Sequence, residues 1–265
     1  MNTNEQSLEN TIPLPPKDFQ ALVCGPADTS SFERMGRLLV VWADNEGMLK
    51  PGTDFLDVGC GCGRLARYLL PWSINSYTGF DRHAGMIEWC RREIRDLRFR
   101  FDFFELKSVY TAWDRQAGTL DVEDFAFPYA ADAFDACMLA SVFTHMPPNE
   151  ARHYLGELAR VTRPGGKILL SIFFSQSGVV ETRDDGVNVL HNPQEFLTDL
   201  EQSPFDARRV SPLSFGYEHN WYVLTKRRRL LDRDRNRYRA RYDIPFVAIH
   251  GIEGNKSASI SSQEN

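Results

Sequence analysis

The residues with the strongest chemical signature lie in one short stretch, Asp57–Arg64, which reads D-V-G-C-G-C-G-R. Three glycines alternate with other residues, and glycine is needed where the backbone takes a positive φ or where a ligand must lie against bare main chain. The apolar pair 55–56 precedes the stretch, and a helix-like run over 65–70 follows it. This succession of strand, tight turn and helix start predicts a nucleotide-sized ligand at the carboxyl edge of a sheet.

The spacing of the turn discriminates among nucleotides. A dinucleotide fingerprint needs a small residue where this chain has Arg64, and no G-x-x-x-x-G-K-[ST] is present, which excludes a P-loop. Asp57 stands two residues before Gly59, where a carboxylate disfavours a pyrophosphate but suits a sulfonium or an amino-acid ammonium. Asp81 follows Gly59 by 22 residues at the end of the next predicted strand. A carboxylate at that place accepts hydrogen bonds from ribose hydroxyls.

The segment 57–63 resembles motif I of the class I S-adenosylmethionine-dependent methyltransferases. Over about residues 13–176, further strings follow in the order of a bacterial subgroup associated with small molecules and glycans: Y-T-G-F-D at 77–81, F-P-Y at 127–129, S-V-F-T-H-M at 141–146 and R-P-G-G at 163–166. The resemblance implies S-adenosylmethionine as cofactor and methyl transfer to a hydroxyl of a small molecule or sugar. Methylation of an amine, a non-catalytic cofactor-binding subunit and an RNA methyltransferase are the alternatives.

The resemblance also implies which residues hold the cofactor. The glycine turn is expected to face the nucleoside, with Asp81 on the ribose and Arg82 beside the adenine. The Ala140 carbonyl and Ser141 are expected at the methionine end. The full predicted set is Asp57, Gly59, Cys60, Gly61, Gly63, Arg64, Asp81, Arg82, Glu105, Leu106, Ala140 and Ser141.

Two of these predictions carry an open alternative. Glu105 is expected to accept a hydrogen bond from the exocyclic amine of adenine, with the Leu106 N–H on a ring nitrogen, and the competing pair is Asp121–Val122. Arg64 is expected either to reach the methionine carboxylate or to pair with an acid on a helix.

His145 is the candidate catalytic residue. A hydroxyl acceptor must lose its proton, and a histidine within hydrogen-bond reach is a common general base. His145 follows the fourth predicted strand, and an ordinary histidine pKa near ~6.5 makes the neutral ring available. The alternative is a structural role, because the S-V-F-T-H-M string accompanies different acceptors in the family. No metal is expected, since no cluster of carboxylates has the spacing of metal ligands.

Strand and helix patterns alternate along the chain and must position these residues. They predict an α/β fold with a doubly wound, mostly parallel seven-stranded sheet, an antiparallel edge strand and helices on both faces. We expect one methyltransferase domain over residues 17–226, whose residues 17–50 form N-terminal cap helices, after a disordered segment 1–16.

Composition narrows the setting. The 265 residues are 42% hydrophobic and 25% charged, which fits one sizeable globular domain. No apolar run approaches the ~20 residues of a membrane span, and the polar start of the chain does not read as a signal peptide. Five cysteines without a C-x-x-C pair favour a reducing cytoplasm over a disulfide framework.

A basic stretch follows the predicted domain within the tail 227–265. Residues 226–241 hold nine basic and two acidic side chains, although the net charge of the chain is −5. The stretch predicts a solvated helix, a nucleic-acid contact or a dock for an acidic carrier protein, and the acidic balance of the whole chain disfavours nucleic acid. The Ser-rich end, 254–265, is expected to be disordered.

Overall fold

The computed structural model describes residues 12–24, 29–109, 117–210 and 219–228, and its centre is a mixed sheet. In chain order the strands are β1 (Asp54–Val58), β2 (Ser76–Asp81), β3 (Phe99–Phe103), β4 (Phe134–Leu139), β5 (Thr162–Phe174), β6 (Glu181–Thr182), β7 (Val189–His191), β8 (Phe205–Val210) and β9 (Asn220–Lys226).

Seven of these strands form the main sheet in the order β3-β2-β1-β4-β5-β9-β8. β9 runs opposite to the other six strands of this sheet, and it lies one strand in from the edge. The predicted mostly parallel, doubly wound sheet is confirmed. Because β1 pairs with β2 on one side and β4 on the other, the chain order reverses at β1. Ligands bind at such a reversal, beyond the carboxyl ends of the strands.

Helices cover both faces of the sheet, as predicted. They are α1 (Lys17–Cys24), α2 (Thr29–Asn45), α3 (Ala66–Leu69), α4 (Ala84–Glu93), α5 (Pro148–Val161) and α6 (Pro193–Gln202). Successive side chains of a strand point to opposite faces. Phe55 of β1 therefore packs in a cluster with α2, α3 and α4, whereas Leu56 packs in a second cluster with α5 and α6.

The described start of the chain is anchored, which corrects the expectation of disorder for residues 12–16. Arg67 of α3 donates a hydrogen bond of 2.8 Å to the carbonyl of Pro13. Gln20 of α1 donates one of 2.6 Å to the carbonyl of Pro15. The side chains of Arg67 and Gln20 are both buried, so their N–H groups need hydrogen-bond acceptors within the protein. The carbonyl groups of Pro13 and Pro15 provide them. Residues 1–11 lie outside the described part of the chain.

A short hairpin formed by β6 and β7 was not anticipated. It extends the carboxyl end of β5, where Phe173 and Phe174 pair with β7. Asp185 shapes its loop by accepting the backbone N–H of Val187 at 3.0 Å and of Asn188 at 2.9 Å. The same loop contains Val187, which is fully buried.

The basic stretch begins inside the domain. Lys226 donates to Asp132 at 2.6 Å and to the carbonyl of Thr162 at 2.7 Å, and Arg227 pairs with Asp206 at 2.9 Å. Residues 229–265, on which the predictions of a helix, a nucleic-acid contact or a carrier dock depend, lie outside the described residues. Among the described helices, none combines the length and apolar character needed to cross a bilayer.

Candidate cofactor site and active site

A pocket opens at the carboxyl ends of β1, β2 and β4, where the strand order reverses. Its empty space is about 1090 Å³ when the open solvent at its mouth is included, and small-molecule and cofactor sites are concave pockets of this kind. Eleven of the thirteen residues predicted from the sequence lie in its wall: Asp57, Gly59, Cys60, Gly61, Arg64, Asp81, Arg82, Leu106, Ala140, Ser141 and His145.

The glycine turn takes backbone conformations that other residues rarely adopt. Gly59 and Gly61 have φ of 69° and 53°. The N–H groups of Gly59 and Cys60 both donate to the carbonyl of Phe80, at 2.9 and 3.0 Å, which ties the turn to the end of β2. A Cβ on Gly59 would lie 2.6 Å from the Val142 side chain. The turn therefore brings bare main chain to the pocket, as a nucleotide site requires.

The other two predicted residues lie away from the pocket wall. Gly63 (φ 74°) faces α4, where a Cβ would lie 3.0 Å from Ile94, so its smallness serves helix packing. Glu105 is exposed and accepts a hydrogen bond of 2.9 Å from Thr119. Its neighbour Leu106 is buried and lines the pocket, so the alternation of the extended chain turns Glu105 outwards. The predicted contact of Glu105 with adenine is corrected accordingly.

Asp81 is organised by the main chain around it. One of its oxygens accepts the Gly61 N–H at 2.8 Å and the other accepts the His83 N–H at 2.8 Å. Burial raises the pKa of this carboxyl, while the two backbone hydrogen bonds oppose that shift. Each carboxylate oxygen has a further lone pair, so the arrangement fits a ligand with two neighbouring hydroxyls.

Asp57 and Arg64 lie behind the turn. Asp57 accepts a hydrogen bond of 2.6 Å from the Tyr77 hydroxyl, and burial raises its pKa to about 7. The positive charge of Arg64 acts in the opposite direction on that pKa. Arg64 donates to the carbonyl of Val23 at 3.2 Å and so anchors the end of α1, rather than pairing with a helix acid. Asp57 thus places a buried carboxyl that is easily protonated beneath the glycine turn.

Apolar side chains form the wall beyond Asp81. Leu106 and Val122 are both buried there. Arg82 donates to the Leu106 carbonyl at 3.0 Å, which ties the end of β2 to this wall. Asp121, the partner of Val122 in the alternative assignment, forms an ion pair of 2.8 Å with Lys107. This part of the pocket wall is therefore apolar, as suits the face of a planar heterocycle.

Comparisons with known proteins agree with this geometry. Residues 56–170 match the family model of a methyltransferase domain. Methyltransferase GfsG of Streptomyces halstedii is 29% identical over 124 residues, 45% of this chain and 37% of GfsG. The tRNA (carboxymethyluridine(34)-5-O)-methyltransferase ALKBH8 of Mus musculus is 30% identical over 129 residues, 47% of this chain and 15% of the mouse protein. The chain therefore spans well under half the length of these curated relatives.

A solved structure of similar fold is the 1,6-didemethyltoxoflavin-N1-methyltransferase of Burkholderia thailandensis, which holds 1,6-didemethyltoxoflavin and S-adenosylhomocysteine. Its TM-score is 0.50 at 18% identity, over 81% of this chain and 92% of that one. Residues 56–170 are a class I S-adenosylmethionine-dependent methyltransferase domain. Its cofactor is S-adenosylmethionine. The bacterial subgroup suggested by the S-V-F-T-H-M string stays a prediction.

His145 lies in the pocket wall of this methyltransferase domain. It ends a single 3-10 turn (Phe143–His145) after β4. Its Nδ1 is 2.9 Å from the carbonyl of Val187 in the hairpin, and His191 of β7 holds the Phe143 carbonyl at 2.9 Å. A carbonyl only accepts, so Nδ1 carries the proton and Nε2 holds the lone pair of the neutral ring. Burial lowers the pKa of His145, which favours that neutral form.

Glu150 is a pocket residue that the sequence did not reveal. It lies in the first turn of α5 and lines the same pocket. Burial and the nearby charges of Glu123 and Asp121 raise its pKa to about 7. An acid in the first turn of a helix is an ordinary stabilising feature, so position alone could not single it out. The methyltransferase pocket therefore contains a carboxyl that is easily protonated.

Replacing Glu150 by Gln is expected to stabilise the fold above pH 7. The folded carboxyl binds its proton up to about pH 7, against an ordinary value of 4.5, so stability decreases as pH rises between these values. The shift corresponds to about 3 kcal/mol, which solvent screening at this half-buried group reduces to about 1 kcal/mol. Urea unfolding of both proteins at pH 5 and pH 8 measures the difference. Equal stability at pH 8 would contradict the prediction.

Ser141 completes the pocket in an unusual backbone conformation. Its backbone φ is 63°, a value that residues other than glycine rarely adopt. Its N–H donates to the hydroxyl of Ser171 at 2.8 Å, and its own hydroxyl lies 3.1 Å from Nε2 of His219. The sequence predicted Ser141 at the pocket, but it offered no pattern by which to assign a role to His219.

Proposed function

We propose that this protein transfers the methyl group of S-adenosylmethionine to a hydroxyl of a small molecule or sugar, with His145 as the general base. The observation that carries the proposal is the neutral histidine in the wall of the pocket that also contains the glycine turn and Asp81. A base is needed at a hydroxyl acceptor because the neutral oxygen is a weak nucleophile until its proton leaves.

The residues of the pocket have separate roles in this proposal. S-adenosylmethionine, when bound, supplies an activated methyl group. The hydrogen bond from Nδ1 of His145 to the Val187 carbonyl fixes the ring, so that Nε2 takes the hydroxyl proton as the acceptor oxygen gains the methyl group. The turn at 59–61 and Asp81 hold the nucleoside, and holding both reactants in line provides much of the rate enhancement.

Methylation of an amine is the second candidate, and Glu150 favours it. Its carboxyl lies in the pocket wall near Asp121 and Glu123, so this side of the pocket has a negative potential. Such a potential attracts a cationic acceptor. In that case His145 would take a proton from an ammonium instead of a hydroxyl.

A transfer assay with S-adenosylmethionine labelled in the methyl group tests the proposal. The full-length protein is incubated with separate pools of hydroxylated small molecules, sugars, small amines and total tRNA. We expect label in the hydroxylated compounds or sugars. Label confined to amines would support the second candidate, and label confined to tRNA would make the protein an RNA methyltransferase. Tight cofactor binding without transfer to any pool would support a non-catalytic subunit and overturn the proposal.

The proposed setting is a reducing cytoplasm. It is supported by the five cysteines, all of which are free thiols and four of which are buried. An acidic carrier protein that brings the acceptor to the basic stretch is part of the same proposal. The acceptor itself would enter the pocket as a small molecule, so the stretch beyond Arg228 is a dock and not a part of the site.

Removing residues 229–265 is therefore expected to leave methylation of a free small molecule within about twofold of the full-length rate. The described hydrogen bonds of Lys226 and Arg227 lie before this cut, so the sheet keeps its last strand intact. The measurement compares initial rates with the free acceptor and with the same acceptor attached to an acidic carrier protein. A selective loss with the carrier-bound acceptor identifies a dock, whereas loss with both would place the tail in the active site.

A further inference from the structure

The structure contains a polar network that none of the functions above uses. Its members are Ser171 in the middle of β5, His219 immediately before β9, and the pocket residue Ser141. We infer that Ser171 and His219 are positioning residues, which hold Ser141 against the amino-acid end of the bound cofactor. The inference depends on the cofactor of the domain and is independent of the acceptor.

Ser171 is the single polar residue in the apolar run 168–174, and its side chain is completely buried. A buried hydroxyl is unfavourable unless it is hydrogen-bonded. This one accepts the Ser141 N–H at 2.8 Å. This hydrogen bond links β5 to Ser141, which lies two residues after the end of β4. It therefore fixes the main chain of Ser141.

Ser141 needs this support because its backbone is strained. Among the described residues other than glycine, only Asp132 and Ser141 have a positive φ. Such conformations persist when the surrounding contacts determine them, and they concentrate at functional sites. Asp132 lies in a turn and is not part of the pocket wall, whereas Ser141 lines the pocket.

His219 fixes the side chain of the same residue. Its Nε2 lies 3.1 Å from the Ser141 hydroxyl, and its ring centroid is 4.4 Å from that of Phe173. Burial lowers the pKa of His219 to about 4, so the ring stays neutral at cellular pH. The positive charges of Arg64 and Arg183 act in the same direction. The neutral ring of His219 can donate a hydrogen bond to the Ser141 hydroxyl or accept one from it. It does so without placing a positive charge near the sulfonium of the cofactor.

The place of Ser141 in the pocket indicates which part of the cofactor it meets. Asp81, Leu106 and Val122 occupy the β2 and β3 side, where the nucleoside fits. The amino-acid end must then extend across β1 towards β4, where the Ala140 carbonyl and the Ser141 hydroxyl offer acceptors. These oxygens suit an ammonium group, provided that the turn carrying them is held in place.

Two related ligands separate positioning from general damage. S-adenosylhomocysteine carries the amino-acid part, and 5′-methylthioadenosine lacks it. Calorimetric titration of Ser171→Ala and His219→Phe is expected to show at least about tenfold weaker binding of S-adenosylhomocysteine, with binding of 5′-methylthioadenosine changed less than twofold. The phenylalanine keeps an aromatic ring beside Phe173 and removes the hydrogen bond to the Ser141 hydroxyl. His219→Gln, which keeps a polar group at this place, is expected to restore part of the affinity.

The matched control is Ser203→Ala. Ser203 is equally buried, but its hydroxyl donates to the Leu200 carbonyl at the end of α6, away from the pocket. This variant is expected to bind both ligands as the wild type does. Equal weakening of both ligands in the His219 variants would show a merely structural role, and unchanged binding of S-adenosylhomocysteine would equally overturn the inference. Because no acceptor is used, failure here leaves the proposed hydroxyl methylation untouched.

Discussion

Replacing Asp81 by Ala is expected to weaken the binding of S-adenosylmethionine by about tenfold to ~100-fold. The carboxylate receives the N–H groups of Gly61 and His83, which come from the glycine turn and from the start of α4. Without it, two backbone donors lose their partner and the pocket loses its acceptors for ribose hydroxyls. Hydrogen bonds to a charged group contribute about 1.5–3 kcal/mol each, and every 1.4 kcal/mol is about tenfold in affinity.

Asp81→Asn tests whether two oxygens are required. An amide has one acceptor oxygen and an NH₂ group, so it can satisfy only one of the two N–H groups. We therefore expect a loss close to that of Asp81→Ala. Asp206→Asn is the control, because Asp206 is an exposed acid of β8 that pairs with Arg227. Calorimetric titration gives the affinities, and an Asp81 variant that binds as tightly as the wild type would remove this residue from the cofactor site.

The sheet could be predicted from the sequence because its strands carry strong local signals. Phe55 and Leu56 are adjacent and apolar, as in a strand buried on both faces, and they pack into different core clusters on the two faces. The glycines at 59 and 61 predicted a bare turn at the end of that strand, and their positive φ values confirm its conformation. Local chemistry determines these features, so a single sequence reveals them.

The contacts that the sequence did not reveal join distant segments of the chain. His145 and Val187 are 42 positions apart in the chain, and Ser141 and His219 are 78 apart. Nothing in either local pattern indicates such a meeting. The β6–β7 hairpin was not anticipated because Asp185, rather than apolar alternation, shapes its loop. Glu105 was misplaced for a related reason, since a one-residue step along an extended chain moves a side chain to the opposite face.

Replacing His145 by Ala is expected to lower kcat for methylation of a hydroxyl by about 10²–10⁴-fold, the usual contribution of a general base. The affinity for S-adenosylmethionine should stay within about twofold, because the described hydrogen bond of the ring is to Val187 and not to the glycine turn. Single-turnover rates with a saturating acceptor separate this effect from product release. His153→Gln is the matched control, since His153 also bonds a backbone carbonyl, that of Phe125 at 2.9 Å, but lies outside the pocket wall.

The pH dependence distinguishes a base from a support. Burial lowers the pKa of His145 below its ordinary 6.5, so the ring is neutral at neutral pH and can accept a proton. The enzyme then loses activity only when the pH falls through that lowered pKa. The wild-type rate should therefore be flat from about pH 7 upwards and decline on the acid side of 6.5. The residual activity of His145→Ala should lack this acid limb and increase with hydroxide concentration instead. If the variant retains both the wild-type rate and the acid limb, another group in the pocket removes the proton, and Glu150, whose pKa is raised to about 7, is the next residue to replace.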